Sequence, residues 1–510
     1  MILSDIYKRN ARRYPRQTAA VCGSTRLSFA EFNRRLNSLA NALINLGLQK
    51  QDKVAIILDN CFEYLELYCA VPKAGCVAVP LNTSLSTSEL AYIINNAEAK
   101  TLVFDERFAP TMASLLPELD SVEILVGIGT TANGAKSYEQ LVADSSPDEP
   151  KVDIGEEDLA YLLYSSGTTG LPKGIMITHR GLIESAVNYV LGCDQRRDDV
   201  CLIATPFFWG AAPIVNMVPQ SYVGGALIIA DDFSPEAILG LIQKEKVTIG
   251  MMAPPMIMSL LEHPQFSNYD TSNLRHIWFG GLPMPVESLK RAIQTQGNIF
   301  FQVYGMSELT PMAMTVPEEQ VIEGPPEKVR RLASCGKEPP NVEVRVVNDE
   351  GKDVAPGEVG EVIGRGDNLM KGYWRMPHAT AEALRDGYLH SGDLATIDED
   401  GYLYLVGRKK DVIVSGGKTI YPSEIEGIIY QHPSIIEAAL IGVPDEELGE
   451  APMVVVVVKE ADNAAEDILA FCQQKLPDYA CPRSVTLVEK LPRNPAGKVL
   501  RKVLKEKYCS

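Results

Sequence analysis

Short apolar runs of strand length alternate with capped amphipathic helices from residue 28 to about residue 305, and this alternation restricts the fold more than any other feature. Ser28-Phe29-Ala30-Glu31 is a capping box, and Phe32, Leu36, Leu39, Leu43 and Leu46 follow at steps of four and three until Gly47 ends the pattern. An amphipathic helix is predicted there. Residues 53–58 read as a buried strand, 60–74 as a helix and 76–80 as the next strand. A second capping box, Ser86-Thr87-Ser88-Glu89, opens a helix that leads to a strand at 101–104. The rhythm continues through 226–230, a helix from Ser234, and strands at 247–250, 275–281 and 299–305. Strands separated by helices pair in parallel with helices over their faces, so a layered α/β class is expected. From about residue 330 the character changes. Alternating strands at 342–347 and 358–363, set off by glycine turns, predict a small antiparallel β unit. The last hundred residues carry strands at 437–443, 453–458 and 484–488 and a helix at 464–476, the makings of a separate small α+β domain. The polar segment 130–157, rich in Gly, Asp and Pro, reads as an exposed connection.

At 510 residues the chain exceeds what one hydrophobic core usually serves, so two or more domains are expected. Lysines and arginines number 48 against 66 acidic residues, a formal charge of −18, which argues against a nucleic-acid or anionic-membrane surface. An anionic ligand must therefore meet locally concentrated positive charge. The ten cysteines (22, 61, 69, 76, 193, 201, 335, 472, 481 and 509) lie scattered, mostly in apolar contexts, without paired metal-ligand spacing. They read as buried thiols of a cytoplasmic protein. The start of the chain has no apolar core of signal-peptide length, and no later run reaches membrane-spanning length, so no integral membrane segment is expected.

One stretch carries overt chemistry. Tyr161-Leu162-Leu163-Tyr164 runs into Ser165, Ser166, Gly167, Thr168, Thr169 and Gly170, then Leu171-Pro172-Lys173-Gly174 and a second apolar run. Glycines let the backbone aim its N–H groups at a polyanion, the hydroxyls add donors, and Lys173 adds a positive charge. The pattern predicts a phosphate loop. It is not a Walker A loop, because Lys173 is preceded by proline and followed by Gly174. Tyr304-Gly305-Met306-Ser307-Glu308 follows an apolar strand, at the end where open α/β sheets bind ligands. A hydroxyl and a carboxylate there suit a phosphate and its Mg²⁺, which prefers hard oxygen ligands.

The stretch 161–174 resembles the phosphate-binding signature of the adenylate-forming enzymes, the superfamily of acyl-CoA synthetases, adenylation domains and firefly luciferase. Further motifs, in the same order as in that family, extend the resemblance over nearly the whole chain. Gly280-Gly281-Leu282-Pro283 is similar to the loop that packs against adenine, and Tyr304 to Glu308 to the family's Tyr-Gly-x-Thr-Glu, with Ser307 replacing threonine. Ser391-Gly392-Asp393 matches a motif whose aspartate accepts from the ribose hydroxyls; a carboxylate offers two acceptors to a diol. Across 407–426 the resemblance implies that Arg408 contacts ribose or phosphate, that Lys410 is a hinge, and that Ser415, Gly416 and Gly417 line a channel for the pantetheine arm of CoA. Lys498, in Pro492-Arg493-Asn494-Pro495-Ala496-Gly497-Lys498, matches the lysine that bridges the acid and the α-phosphate. The implied division is an adenylation domain of 1–409 and a mobile lid of 410–510.

These correspondences imply an AMP-forming acyl-CoA synthetase using ATP, Mg²⁺ and CoA. Ser165, Ser166, Gly167, Thr168, Thr169, Gly170 and Lys173 would cradle the β- and γ-phosphates, Glu308 would hold Mg²⁺, Ser307 the α-phosphate, and Lys498 would act catalytically. Phe207, Phe208, Trp209, Gly210, Ala211, Gly280 and Met306 would line the acyl pocket; many relatives have a histidine where Trp209 stands. So apolar a set predicts an acid with no second charge, whether medium-chain fatty, alicyclic or aromatic. Partners are then the small carboxylic acid and CoA, with no nucleic acid, and either a monomer or a homodimer accommodates the motifs. Acylation of Lys498 would remove a needed charge and switch the enzyme off. The alternatives are an enzyme that loads a separate carrier protein, which would keep every motif, and a catalytically silent nucleotide-binding relative.

Overall fold

The structure, a computed structural model, describes every residue except 166–170, 283, 460–463, 494–497 and 510. Packing divides the chain into two units. The first comprises the described residues of Met1–Ser165, Pro172–Glu343 and Gly364–Leu389, the second those of Ser166–Leu171, Val344–Ile363 and His390–Ser510.

In the first unit both capping boxes form. Ser28 and Ser86 accept from the backbone N–H of Glu31 and Glu89, and each glutamate reaches back to its cap N–H at 2.9 Å. These contacts satisfy donors that a helix start otherwise leaves unpaired. The helix Phe29–Asn45 buries Phe32, Leu36, Leu39 and Leu43, the face set by the spacing.

Two sheets organise this unit. One runs in the order Lys136–Ser137, Ile124–Ile128, Ala99–Asp105, Lys53–Ile57, Val77–Pro80, Leu159–Tyr164 and Gly174–Thr178. All neighbours are parallel except the last pair. The other runs Leu309–Met314, Phe300–Met306, His276–Gly280, Ile249–Met251, Val200–Ile203, Ala226–Ile229, Thr18–Cys22 and Thr25–Ser28. Its interior is parallel and both of its edges are antiparallel. The α/β class is therefore as expected, with a correction at the edges. There the chain turns back directly, without the helical crossover that a parallel neighbour needs.

The segment 130–157 also needs correction. It contains the edge strand Lys136–Ser137 and a helix, Tyr138–Asp144. Tyr138 is 1% exposed, and its hydroxyl donates to Glu66 Oε2 at 2.8 Å; Arg35 Nε donates to the other oxygen of that buried carboxylate at 2.6 Å. One anchored aromatic residue thus docks a segment whose composition reads as a loop.

The second unit contains antiparallel strands, among them the pairing of Asp393 with Arg408 and of Ile397 with Leu403. It also has a five-stranded sheet in which Lys418–Ile420, Ile413–Ser415, Gly449–Val458 and Ile435–Asp445 follow in order and Ser484–Leu487 joins Gly449–Val458 in parallel. Helices Pro422–Ile429 and Ala464–Lys475 accompany the sheet, and Ile413, Ile425, Leu440, Val454 and Ile468 share its core. This is the predicted α+β arrangement. The helix Arg501–Tyr508 begins with a half-buried ion pair: Arg501 Nη2 lies 2.5 Å from Glu426 Oε1, which also accepts from Leu440 N at 2.6 Å. Burial pushes the Glu426 carboxyl up, against the pull of Arg501.

None of the ten cysteines forms a disulfide; six are buried and four half-buried. Among the described residues no helix is long and apolar enough to cross a membrane.

Two predictions arise from these enclosed titratable groups. Arg501→Ala leaves the half-buried Glu426 carboxylate unpaired and should cost about 1–3 kcal/mol, whereas Arg501→Met with Glu426→Leu should recover most of it. Amide exchange across Ile435–Asp445 reads this locally; unchanged protection in Arg501→Ala would show that the pair contributes little. His179 is 1% exposed, its Nδ1 accepts from Leu3 N at 3.2 Å, and burial lowers it to about 4. The unfolded chain therefore takes up this proton first as pH falls, and stability is lost from about pH 6.5 down to about pH 4. At pH 5 the loss attributable to His179 should be about 2 kcal/mol relative to pH 7.5. Urea midpoints of wild type and His179→Gln at the two pH values measure it, and equal pH sensitivity would contradict the assignment.

Candidate active site

The phosphate-loop stretch begins on the strand Leu159–Tyr164 and returns along the antiparallel edge strand Gly174–Thr178, with Tyr164 opposite Gly174. Ser165 N donates to the Lys173 carbonyl at 3.0 Å, and Lys173 N donates to Ser165 Oγ at 3.2 Å. Ser165 and Lys173 thus close the neck of the loop. Ser166, Gly167, Thr168, Thr169 and Gly170 lie outside the described residues. A Cβ on Gly174 would stand 3.1 Å from Leu162 and Tyr164 and 3.2 Å from Trp374, so glycine permits the strand's close packing there.

The second motif is also a hairpin. Tyr304, Gly305 and Met306 complete the strand Phe300–Met306, Ser307 and Glu308 form the turn, and Leu309 pairs back with Met306. Tyr304 is buried; Met306, Ser307 and Glu308 are half-buried. A Cβ on Gly210 would stand 3.3 Å from Ser307 Oγ, which brings the apolar 206–212 stretch beside this hydroxyl. Phe208 and Trp209 meet edge to face with centroids 6.0 Å apart, and with Gly210 and Ala211 they are half-buried. The Trp209 indole N–H is enclosed without a hydrogen-bond partner among the described residues.

Phe207 departs from its expected place in the acyl pocket. It has no exposed surface, its ring lies 5.2 Å from Tyr64 and 5.9 Å from Tyr68, and its carbonyl accepts from the Tyr68 hydroxyl at 2.5 Å. Phe207 stands in a turn closed by Trp209 N donating to the Pro206 carbonyl at 3.0 Å, and its side chain fills the core. Gly280 ends its strand where a Cβ would fall 2.2 Å from the Val303 carbonyl; Gly281 follows exposed at φ +74°, then half-buried Leu282. Pro283 lies outside the described residues.

A strap at 369–374 joins the two hairpins. Leu369 bridges Leu309 and Tyr373 bridges Ile175, while Met370 N donates to the Glu308 carbonyl at 2.8 Å and Trp374 N to the Gly174 carbonyl at 2.7 Å. The Tyr373 hydroxyl donates to Glu308 Oε1 at 2.9 Å, and Lys173 Nζ lies 4.8 Å from the centroid of the same ring. Tyr373 was not among the residues expected from the sequence. Gly372-Tyr373-Trp374 has no periodicity or charged residue to mark it, and the strap's pairings span two sheets.

Within the second unit, Asp393 Oδ1 lies 2.6 Å from Arg408 Nε across paired strands, and Arg408 Nη1 donates to the Ser391 carbonyl at 3.2 Å. Ser391 Oγ in turn accepts from Asp393 N at 3.0 Å, which fixes the carboxylate's approach. Lys410 lies in the short turn Lys409–Asp411 between the strands Leu403–Arg408 and Ile413–Ser415. Partial burial lowers the Lys410 ammonium, as does Arg408, and Asp411 opposes them. Ser415 pairs with Lys418 around Gly416 and Gly417, both at positive φ (+55° and +74°), the conformation a tight two-residue hairpin demands. Ser415 is buried, the two glycines are exposed, and Lys498 is exposed ahead of the C-terminal helix.

By chemical type, the first unit holds the Ser165 and Ser307 hydroxyls, the Lys173 ammonium and the Glu308 carboxylate, groups able to take a phosphate and a cation, and the second unit separately holds the Asp393–Arg408 carboxylate–guanidinium pair. Among the described residues no three His, Cys, Asp or Glu side chains cluster to hold a metal unaided. Mg²⁺ fits such a place because it is commonly held by one or two carboxylates together with substrate phosphates.

Comparison with known proteins agrees. The family model of the AMP-binding enzymes matches residues 7–374, and that of the AMP-binding enzyme C-terminal domain matches 424–498. The chain is 36% identical to a feruloyl-CoA synthase of Amycolatopsis sp over 501 residues, 98% of each chain. It is 33% identical to a long-chain-fatty-acid–CoA ligase of Mycobacterium tuberculosis over 498 residues, 97% of this chain and 96% of that one. The crystal structure of ATP-bound MatB from Rhodopseudomonas palustris superposes with a TM-score of 0.90 at 31% identity, covering 100% of this chain and 99% of the other. The two hairpins, the strap between them and the matched lengths lead to one conclusion: this chain belongs to the AMP-binding enzyme family of adenylate-forming enzymes, as an acid–thiol ligase of the acyl-CoA synthetase class.

Proposed function

We propose that this acyl-CoA synthetase activates an apolar carboxylic acid, medium-chain fatty, alicyclic or aromatic, through an acyl-adenylate. The observation that carries this reading is the closeness of Gly210 to Ser307, whose Oγ a Cβ on Gly210 would approach to 3.3 Å, and which sets the uncharged stretch Phe208-Trp209-Gly210-Ala211 beside the hydroxyl assigned to the α-phosphate. A second charge on the acid would be buried there without a partner, at considerable cost.

A carboxylate is a poor electrophile because its carbon carries delocalised negative charge and its leaving group would be oxide. An acid oxygen therefore attacks the α-phosphorus of ATP, the bond to the bridging oxygen breaks, and pyrophosphate departs. Positioning and charge stabilisation account for most of such a displacement. Ser165, the loop hydroxyls and Lys173 hold the β- and γ-phosphates, Ser307 holds the α-phosphate, and Asp393 with Arg408 receives the ribose. Mg²⁺, when bound at Glu308, neutralises charge on the phosphates. Gly281, Leu282 and Pro283 with Tyr304, Gly305 and Met306 frame the adenine. Lys498 bridges the acid and the α-phosphate as charge accumulates.

The second half-reaction is attack of the CoA sulfur on the acyl carbonyl, with AMP leaving. Division of labour between a body of 1–409 and a lid of 410–510, hinged at Lys410, lets Lys498 withdraw and the Ser415-Gly416-Gly417 turn guide the pantetheine arm. The short turn holding Lys410 supports this, since hinges are few residues that absorb large torsional changes. The enzyme is cytoplasmic on this reading, monomeric or homodimeric, and open to inactivation by acylation of Lys498.

Purified protein supplied with ATP, CoA and octanoate, cyclohexanecarboxylate or benzoate should release AMP and pyrophosphate. Succinate and malonate should be poorer by at least about 100-fold in kcat/KM. ADP as product, or a preference for the dicarboxylates, would overturn the reading. Lys498→Ala should slow adenylation by about 100-fold or more yet leave thioester formation from presynthesised acyl-adenylate within about threefold. Single-turnover assays of the two halves separate these effects, and equal losses would contradict the assignment.

A further inference from the structure

Lys173 and Glu308 carry opposite charges on the two hairpins joined by the strap, yet neither forms an ion pair with any described residue. Both touch Tyr373 instead. Its hydroxyl donates to Glu308 Oε1 at 2.9 Å, and its ring faces the Lys173 ammonium at 4.8 Å. Glu308 Oε2 is left without a hydrogen-bond partner among the described residues. The ring cannot readily drift, because Tyr373 bridges Ile175 through the backbone and its N–H donates to Thr380 Oγ1 at 2.9 Å. Its neighbours Gly372 and Trp374 are paired to Met176 and Gly174 in turn.

We propose that Tyr373 is a positioning residue that keeps the Lys173 ammonium and the Glu308 carboxylate apart and separately available for MgATP, an inference that rests on the adenylating function proposed above. A lysine and a glutamate on adjoining hairpins attract one another, and a direct pair would have to be broken before either met the nucleotide. A phenol avoids this by offering a π face to the cation and a neutral O–H to the anion. Both contacts yield to the stronger charge–charge contacts that phosphates and a divalent cation bring. The free Oε2 of Glu308 is the oxygen so reserved. Tyrosine suits both demands: phenylalanine lacks the donor, and leucine lacks the π face as well.

Calorimetric titration of the full chain with ATP, with and without Mg²⁺, tests this apart from turnover. Tyr373→Phe should leave metal-free ATP affinity within about twofold of wild type while raising the Mg²⁺ concentration for half-maximal enhancement about tenfold. Tyr373→Leu should lower metal-free ATP affinity about tenfold, because Lys173 collapses onto Glu308, and Glu308→Gln added to it should restore that affinity to within about threefold. A double variant no tighter than Tyr373→Leu, or a Tyr373→Phe with unaltered Mg²⁺ dependence, would overturn the role. Should Tyr373→Leu fail to fold, as judged by circular dichroism, the Phe arm still decides. Wild type that binds no ATP would sink the adenylating function itself, whereas wild type that binds normally beside uncoupled variants would sink only the role of Tyr373.

Discussion

The backbone pairing of one extended strap, 369–374, to the edge hairpins of two different sheets is the constraint on which the candidate site of the first unit depends. Leu369 meets Leu309 on one sheet, and Tyr373 meets Ile175 on the other. Hydrogen bonds from Met370 to Glu308 and from Trp374 to Gly174 complete the link. Two turns far apart in the chain, Ser307-Glu308 and the neck Ser165/Lys173, are thereby held in one frame without any direct contact between their charged side chains. Antiparallel edges make this possible. A parallel strand leaves its neighbour through a long crossover, whereas a hairpin presents its turn at the sheet's end and keeps its outer edge open for a further strand.

Charge explains why so few cations are involved. The chain carries −18 overall, so an anionic nucleotide is repelled by most of the surface and must be recognised locally. In the first unit Lys173 lies over the ring of Tyr373, and in the second Arg408 pairs with Asp393. A carboxylate–guanidinium pair of this kind carries both an acceptor and donors. Beside Ser307 the first unit turns apolar at Gly210, and on the function proposed above an acid would be selected there by exclusion of charge.

In the second unit, rigidity surrounds a short turn. Asp411, beside Lys410, lies 4.0 Å from Arg501, whose guanidinium is held by Glu426 and donates to the Leu440 carbonyl at 3.3 Å. The helix following Lys498 is thus tied to the sheet and to the turn that follows the strand Leu403–Arg408. The hinge proposed at Lys410 would draw on such ties, since torsional change is taken up by the few residues that lack them.

The sequence by itself determined the order and type of most elements between residues 28 and 305, both capping boxes, the α/β class, the small α+β unit and the chemical kinds of the candidate site residues. These are local properties: periodicity reports which face one element buries, and a run of hydroxyls, glycines and a lysine reports its own affinity for phosphate. Only the tertiary structure decided that Leu159–Tyr164 and Gly174–Thr178 run antiparallel, that Tyr138 docks a loop-like segment, that Phe207 belongs to the core while Gly210 meets Ser307, and that Tyr373 stands with both Lys173 and Glu308. Each of these depends on a partner remote in the chain. Pairing across such separations is set by how whole sheets pack, and a single tyrosine between two turns carries no local pattern that would betray it.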